Sequence, residues 1–261
     1  MRMRAVVAAS HIGCMCLLLV GIAAEAAELK VLSAGAVQAA MEDLGPKFER
    51  ATGHKLAFTF APPGVVVKRI QDGETADVVV TTQQGIDSFV KDGKAVAGNV
   101  TVVARSGIRV AVRTGTPKPD ISSPDALKRT RLAAKSITYP DPALGGPSGI
   151  HFATVLDRLG IANEMQAKTV FSKTPRPGAG VIEEMLANGE TEIGVGFFNV
   201  PAAGIEIVGP LPGDLQETIV FSAAIMASAK QTEAGKALLD FLRTPEAAAA
   251  IKAKGMEPAT P

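Results

Sequence analysis

Short apolar runs alternate along nearly the whole chain with stretches whose apolar residues recur at helical spacing. Leu29–Ser33 (LKVLS) reads as a buried strand, and from Val37 to Ala51 the residues Val37, Ala40, Met41, Leu44 and Phe48 share one helix face. Lys55–Phe60 alternates as a second strand, Val65–Asp72 predicts a short helix, and Ala76–Val80 (ADVVV) is a third strand apolar on both faces. A helix from Gln84 to Val90 and strands at Val100–Ala104 and Ile108–Arg113 follow. The Pro-rich stretch GTPKPDISSPD (115–125) then reads as a crossover to a second lobe.

The alternation continues with a segment around Leu127, a strand over Ser136–Tyr139, a helix over Ile150–Leu159 and a strand over Lys168–Phe171. A helix at Val181–Asn188 and a strand at Glu192–Phe198 complete this part. Val220–Ala227 (VFSAAIMA) is a long apolar strand placed to return to the first lobe, before helices at Glu233–Leu242 and Pro245–Lys254. Strand–helix alternation of this kind predicts an α/β protein whose sheets are mainly parallel and flanked by helices. Leaving one lobe and returning to it gives two connecting segments, an arrangement suited to hinge closure.

The N-terminus changes the compartment. MRMR precedes an apolar run from Ala5 to Ala24, and Ala24-Glu25-Ala26 is a small-x-small cleavage pattern, so residues 1–26 are expected to be a cleaved signal peptide. An uncleaved anchor and a lipoprotein using Cys14 are the alternatives; Ser10, His11 and the glycines oppose the first, and His11 before Ile12-Gly13 opposes the second. Both cysteines, Cys14 and Cys16, lie in this segment, so the exported chain has no thiol for a disulfide or a metal.

Of 27 basic and 26 acidic residues the signal removes Arg2, Arg4 and Glu25, leaving equal numbers, which argues against nucleic acid as a partner. The chain has no Trp and one Tyr, Tyr139, whereas sugar clefts stack aromatic rings on the ligand. Only His54 and His151 remain as imidazoles, too few for a transition-metal site without cysteine. No cofactor is expected.

Turns built from small residues lead into the predicted helices: SAGAV (33–37), APPGV (61–65), GGPSG (145–149) and RPGAG (176–180). The first N–H groups of a helix lack intrahelical partners and carry partial positive charge, so such turns suit a small anion, although Gly and Pro also shape ordinary strand–helix connections. Lys68, Arg69 and Arg176 are the cations near these turns; solvated surface charge is the simpler account of each. Thr81 and Thr82 end the ADVVV strand on the side where open α/β sheets bind ligands.

Several segments together carry a family resemblance: LSAGAVQAAMEDLGPKFERATGHKL, IQDGETADVVVTT, YPDPALGGPSGIHFATVLDRLG, EEMLANGETEIGVGFF and ALLDFLRTPEAAAAIKAKGMEP. The chain resembles the periplasmic molybdate-binding proteins and their broader solute-binding relatives, which serve ABC importers. The resemblance implies a two-lobed type II periplasmic-binding-protein fold, with residues 27–107 and 221–261 in lobe 1, residues 108–220 in lobe 2, and a ligand cleft between them.

It further implies a tetrahedral oxyanion held by hydroxyls and backbone N–H groups, but this sequence departs at the side-chain donors. Ala36 stands where the family has the first-turn serine, Pro63 or Gly64 where it has the second, and Phe197 where it has a tyrosine. Ser148 and Ala179 fall where main-chain N–H groups serve, and Ser33 or Ser148 could give hydroxyls from shifted positions. The expected ligand set is Ser33, Gly35, Ala36, Pro63, Gly64, Thr82, Ser148, Gly149, Ala179 and Phe197.

The expectation is a monomeric periplasmic protein without catalysis that binds a small anion, oxyanion or organic, and delivers it to a membrane ABC permease. A true molybdate or tungstate binder relying on backbone donors, and a ligand module for a membrane sensor, are the alternatives. An exported hydrolase using Ser148 and His151 finds no G-x-S-x-G or H-E-x-x-H support.

Overall fold

The computed structural model describes residues 26–172 and 180–259. The expected signal segment up to Glu25, and Arg176, Gly178 and Ala179 of the RPGAG turn, lie outside the described residues.

The first sheet has the strand order β10-β4-β9-β3-β1-β2. It comprises β1 (Glu28–Ala34), β2 (Lys55–Ala61), β3 (Val78–Thr82), β4 (Ala95–Gly107), β9 (Thr218–Met226) and β10 (Glu257–Pro258). Helices α1 (Gln38–Thr52), α2 (Pro63–Gln71), α3 (Gln83–Lys91), α8 (Thr232–Phe241) and α9 (Pro245–Ala253) cover it. Because β1 lies between β2 and β3, the chain leaves neighbouring strands toward opposite faces. Met41, Leu44 and Phe48 of α1 pack with Leu238 and Ile251 on one face, and Val66 and Ile70 of α2 with Ile86 and Phe89 of α3 on the other. Such a reversal opens a crevice at the strands' C-terminal ends.

The second sheet, ordered β6-β7-β5-β8, comprises β5 (Arg109–Arg113), β6 (Ile137–Thr138), β7 (Ile193–Gly196) and β8 (Ile205–Pro210). Its helices are α4 (Pro124–Ala133), α5 (Pro147–Arg158), α6 (Ala162–Gln166) and α7 (Val181–Ala187). The molecule is therefore a two-lobed mixed α/β protein.

Four details differ from the sequence pattern. Antiparallel pairs outnumber parallel ones, because β9 returns between β3 and β4 antiparallel to both, and β5 runs antiparallel to β7 and β8. The crossover is not the Pro-rich stretch: β4 ends at Gly107 in one sheet and β5 starts at Arg109 in the other, so GTPKPDISSPD lies beyond the switch. The strand expected at Lys168–Phe171 is a single bridge between Thr169 and Ile137, with the Lys168 ammonium bound to the Leu132 and Ala134 carbonyls that end α4. β9 begins at Thr218, ahead of the expected return at 221, because Thr218 already pairs with Gly107.

Two buried polar groups contrast. The Asp77 carboxylate accepts from the backbone N–H groups of Lys30, Lys230 and Gln231, tying β1 to the start of α8. Arg131, fully buried on α4, has no hydrogen-bond partner for its guanidinium among the described residues and sits 5.3 Å over the Phe152 ring; burial pushes its pKa down to about 9.

Asp77→Ala should strand these N–H groups and lower stability by about 2–4 kcal/mol, read by urea denaturation followed by circular dichroism. Arg131→Met should do the opposite. Replacing an unpaired buried charge with an apolar side chain of similar length is expected to raise the denaturation midpoint, by about 1–4 kcal/mol in free energy.

Candidate functional site

A cavity of about 690 Å³ opens between the two lobes. Its first wall is formed by Pro63, Gly64 and Val67 of α2 with Thr82, Gln83 and Gly85 at the start of α3. The second is formed by Gly145, Pro147, Ile150 and His151, and Glu217, Thr218, Ile219 and Val220 run between them.

Three helices begin at this cavity. Pro63 and Pro147 occupy the first positions of α2 and α5, where a fixed φ favours helix entry and no N–H is needed. Neither helix has a side-chain cap, so the first-turn N–H groups and their partial positive charge have no side-chain acceptor to satisfy them. α3 differs: the Thr82 hydroxyl accepts from the Gly85 N–H at 3.2 Å. Thr82 thus lines the cavity while serving as a helix cap.

Glycine sets how closely the lobes meet. A Cβ on Gly64 would lie 2.4 Å from the Gly145 Cα and 2.5 Å from the Leu144 carbonyl oxygen, so backbone meets backbone across the cleft. Gly149 fits a similar constraint within one lobe, since a Cβ there would fall 1.9 Å from the Pro140 carbonyl oxygen.

The structure brings Pro63, Gly64 and Thr82 of the expected ligand set to this cavity. Ser33, Gly35, Ala36, Ser148, Gly149 and Phe197 do not line it. Ser33 is buried, its hydroxyl donating to the Ala34 carbonyl at 3.4 Å, and Ala36 packs against the core around α1. Ser148, on the first turn of α5, is buried and its hydroxyl does not cap the helix. Phe197 touches the cores of both lobes and packs edge-on against Phe221, with ring centroids 5.6 Å apart. Ala179 lies outside the described residues.

Of the candidate cations, Arg176 lies outside the described residues and the other two are already engaged. Lys68 lines the cavity but pairs with Asp72 at 2.6 Å, and Arg69 pairs with Glu74. Tyr139 is a core residue packed edge-on against Phe152 and Phe171, and burial pushes its phenol pKa up.

The chemistry the sequence left undetected is a pair. His151 Nε2 lies 2.8 Å from the Leu215 carbonyl and Nδ1 contacts a Glu217 carboxylate oxygen, with both side chains on the cavity wall. Glu217 lies far from His151 in sequence and in no motif, so no local signal could have joined them.

Over 238 residues, 88% of this chain and 87% of the relative, the chain is 33% identical to a protein named aconitate isomerase from a Pseudomonas species. It is 31% identical over 244 residues to the molybdate-binding protein ModA of Azotobacter vinelandii, covering 91% of this chain and 92% of that one. The solved periplasmic molybdate-binding protein of Azotobacter vinelandii superposes with a TM-score of 0.73 at 22% identity, over 89% of this chain and all of that one. The profile described as Bacterial extracellular solute-binding protein matches residues 29–257, and with a sheet reversal, two lobes and a cavity between them, the chain belongs to that family.

Proposed function

We propose that this chain is the periplasmic solute-binding component of an ABC importer and that it carries a small organic anion between its lobes. The cavity is the observation that carries this reading. At about 690 Å³ it falls in the range of organic-ligand sites and far exceeds the volume of a dehydrated tetrahedral oxyanion. The Gly64 N–H at the uncapped start of α2, on the cavity wall, is a donor suited to a carboxylate oxygen.

The relatives agree with an anionic ligand: one is named for aconitate, a propene tricarboxylate, and another for molybdate. In the sequence Ala36, Gly64 and Phe197 stand where hydroxyl donors are expected for molybdate, which favours a carboxylate. The reading takes 27–107 with 218–261 and 108–217 as the lobes, the segment 1–26 as an export signal, and a monomer delivering ligand to a membrane permease. Pro63, Gly64 and Thr82 form its ligand wall. No helix among the described residues is long and apolar enough to cross a membrane.

A thermal-shift panel of cis-aconitate, trans-aconitate, other small carboxylates, molybdate, tungstate and sulfate tests the ligand class. A ligand at 100 times its Kd stabilises by about 2.7 kcal/mol, or roughly 5–10 °C for a chain of this size. A carboxylate should give that shift and molybdate little or none. A large shift with molybdate alone would restore the oxyanion reading.

Gly64→Val should weaken binding at least about 10-fold while leaving the far-UV spectrum and the apo midpoint nearly unchanged, because the three atoms nearest its Cβ all belong to the opposite lobe. Titration calorimetry reads the affinity, and solution scattering should show a more open particle. Unaltered affinity would remove α2 from the site.

A further inference from the structure

The geometry points to a proton-transfer activity in the interlobe cleft, with Glu217 as the base and His151 as its positioning residue; the substrate class, an unsaturated carboxylate with an acidic methylene, is taken from the relative named aconitate isomerase. This rests on the reading that a carboxylate occupies the cleft.

Both side chains line the 690 Å³ cavity. The Leu215 carbonyl can only accept, so His151 Nε2, 2.8 Å away, carries a hydrogen. That leaves Nδ1 against Glu217 Oε2. Two bare lone pairs would repel at hydrogen-bonding contact, so one proton lies between them. Whether the pair is imidazolium and carboxylate, or imidazole and carboxylic acid, its net charge is zero.

Neutrality matters because a lone carboxylate would repel an anionic ligand, whereas this pair admits one. Glu217 Oε1 has no partner among the described residues, and the side chain is 45% exposed at the cavity. The Gly64 N–H at the uncapped start of α2 can meanwhile hold a carboxylate oxygen.

The step balances without a co-reactant. With the shared proton on Nδ1, Oε1 takes a proton from the methylene that joins a carboxyl group to the double bond. The C–H electron pair enters the allylic system and its carboxylates, and Glu217 becomes neutral as the ligand gains one negative charge. The imidazolium stands beside that added charge. Return of the proton to the far allylic carbon re-forms a C–H bond and moves the double bond, giving a geometric or positional isomer.

Aconitate has this arrangement, so its two isomers are the probes. The purified exported chain is incubated with each in deuterium oxide and followed by proton NMR, with binding read separately by thermal shift. The native chain should interconvert the isomers and exchange the methylene protons for deuterium. Glu217→Gln should retain the thermal shift and lose turnover at least about 100-fold. His151→Gln should lower kcat about 10-fold or more with KM little changed, and Glu217→Asp should recover part of the activity.

Aconitate binding without isomerisation or exchange in the native chain overturns the proton transfer and leaves the carboxylate reading standing. Full turnover in Glu217→Gln overturns the assignment of the base. No shift with either isomer, and no turnover, overturns both.

Discussion

Strand β9 is the constraint on which the rest of the molecule depends. It enters the first sheet between β3 and β4 after the whole second lobe has been made, so that sheet cannot close until the chain has gone out and come back. Its apolar residues Phe221, Ala223 and Ile225 fill one face of the sheet, and Ala224 and Met226 the other. The outgoing and returning segments are forced to lie side by side, and the Ile108 N–H donates to the Glu217 carbonyl at 3.4 Å across them. The same return sets Glu217, Thr218, Ile219 and Val220 along the cavity, so the strand that completes the core also supplies part of the site.

Glycine decides how much of the cleft is closed. At Gly64 and Gly145 the lobes approach through backbone alone, and at Gly255 a Cβ would fall 1.8 Å from the Asn199 carbonyl oxygen, a second contact between segments of different lobes. These backbone contacts bring little side-chain dispersion; the side-chain link between the lobes is Phe197, which packs against the cores of both.

Much of the fold was legible because helical periodicity is a local signal. Phe48 with Met41 and Leu44, or Ile251 with Ala247 and Ala250, places a helix face whatever the rest of the chain does. Strand pairing is not local. Nothing in Val220–Ala227 says that it will lie antiparallel between β3 and β4, and β8 with its Gly209 and Pro210 ending has the appearance of loop. The switch at Gly107–Ile108 carries no breaker cluster, while the Pro-rich stretch that looks like a crossover is a surface connection. The site divides in the same way. Turns at Pro63–Gly64 and Gly145–Pro147 were visible as small-residue clusters, but the contact of His151 with Glu217 exists only after the second lobe has folded and the chain has turned back.

That contact also bears on why a family of carriers can contain proteins named both for a bound oxyanion and for an isomerase. A carrier must desolvate an anion and surround it with donors, which is most of what is needed to stabilise a carbanion next to a carboxylate. What separates the two tasks is a base that does not repel the ligand. An unpaired carboxylate fails that condition, and a histidine with both nitrogens hydrogen-bonded has no lone pair to offer. A carboxylate in contact with a histidine that is itself held by a backbone carbonyl is the kind of arrangement that meets it, and here it joins a residue of the second lobe to one on the connector, so binding and chemistry would need no separate architecture.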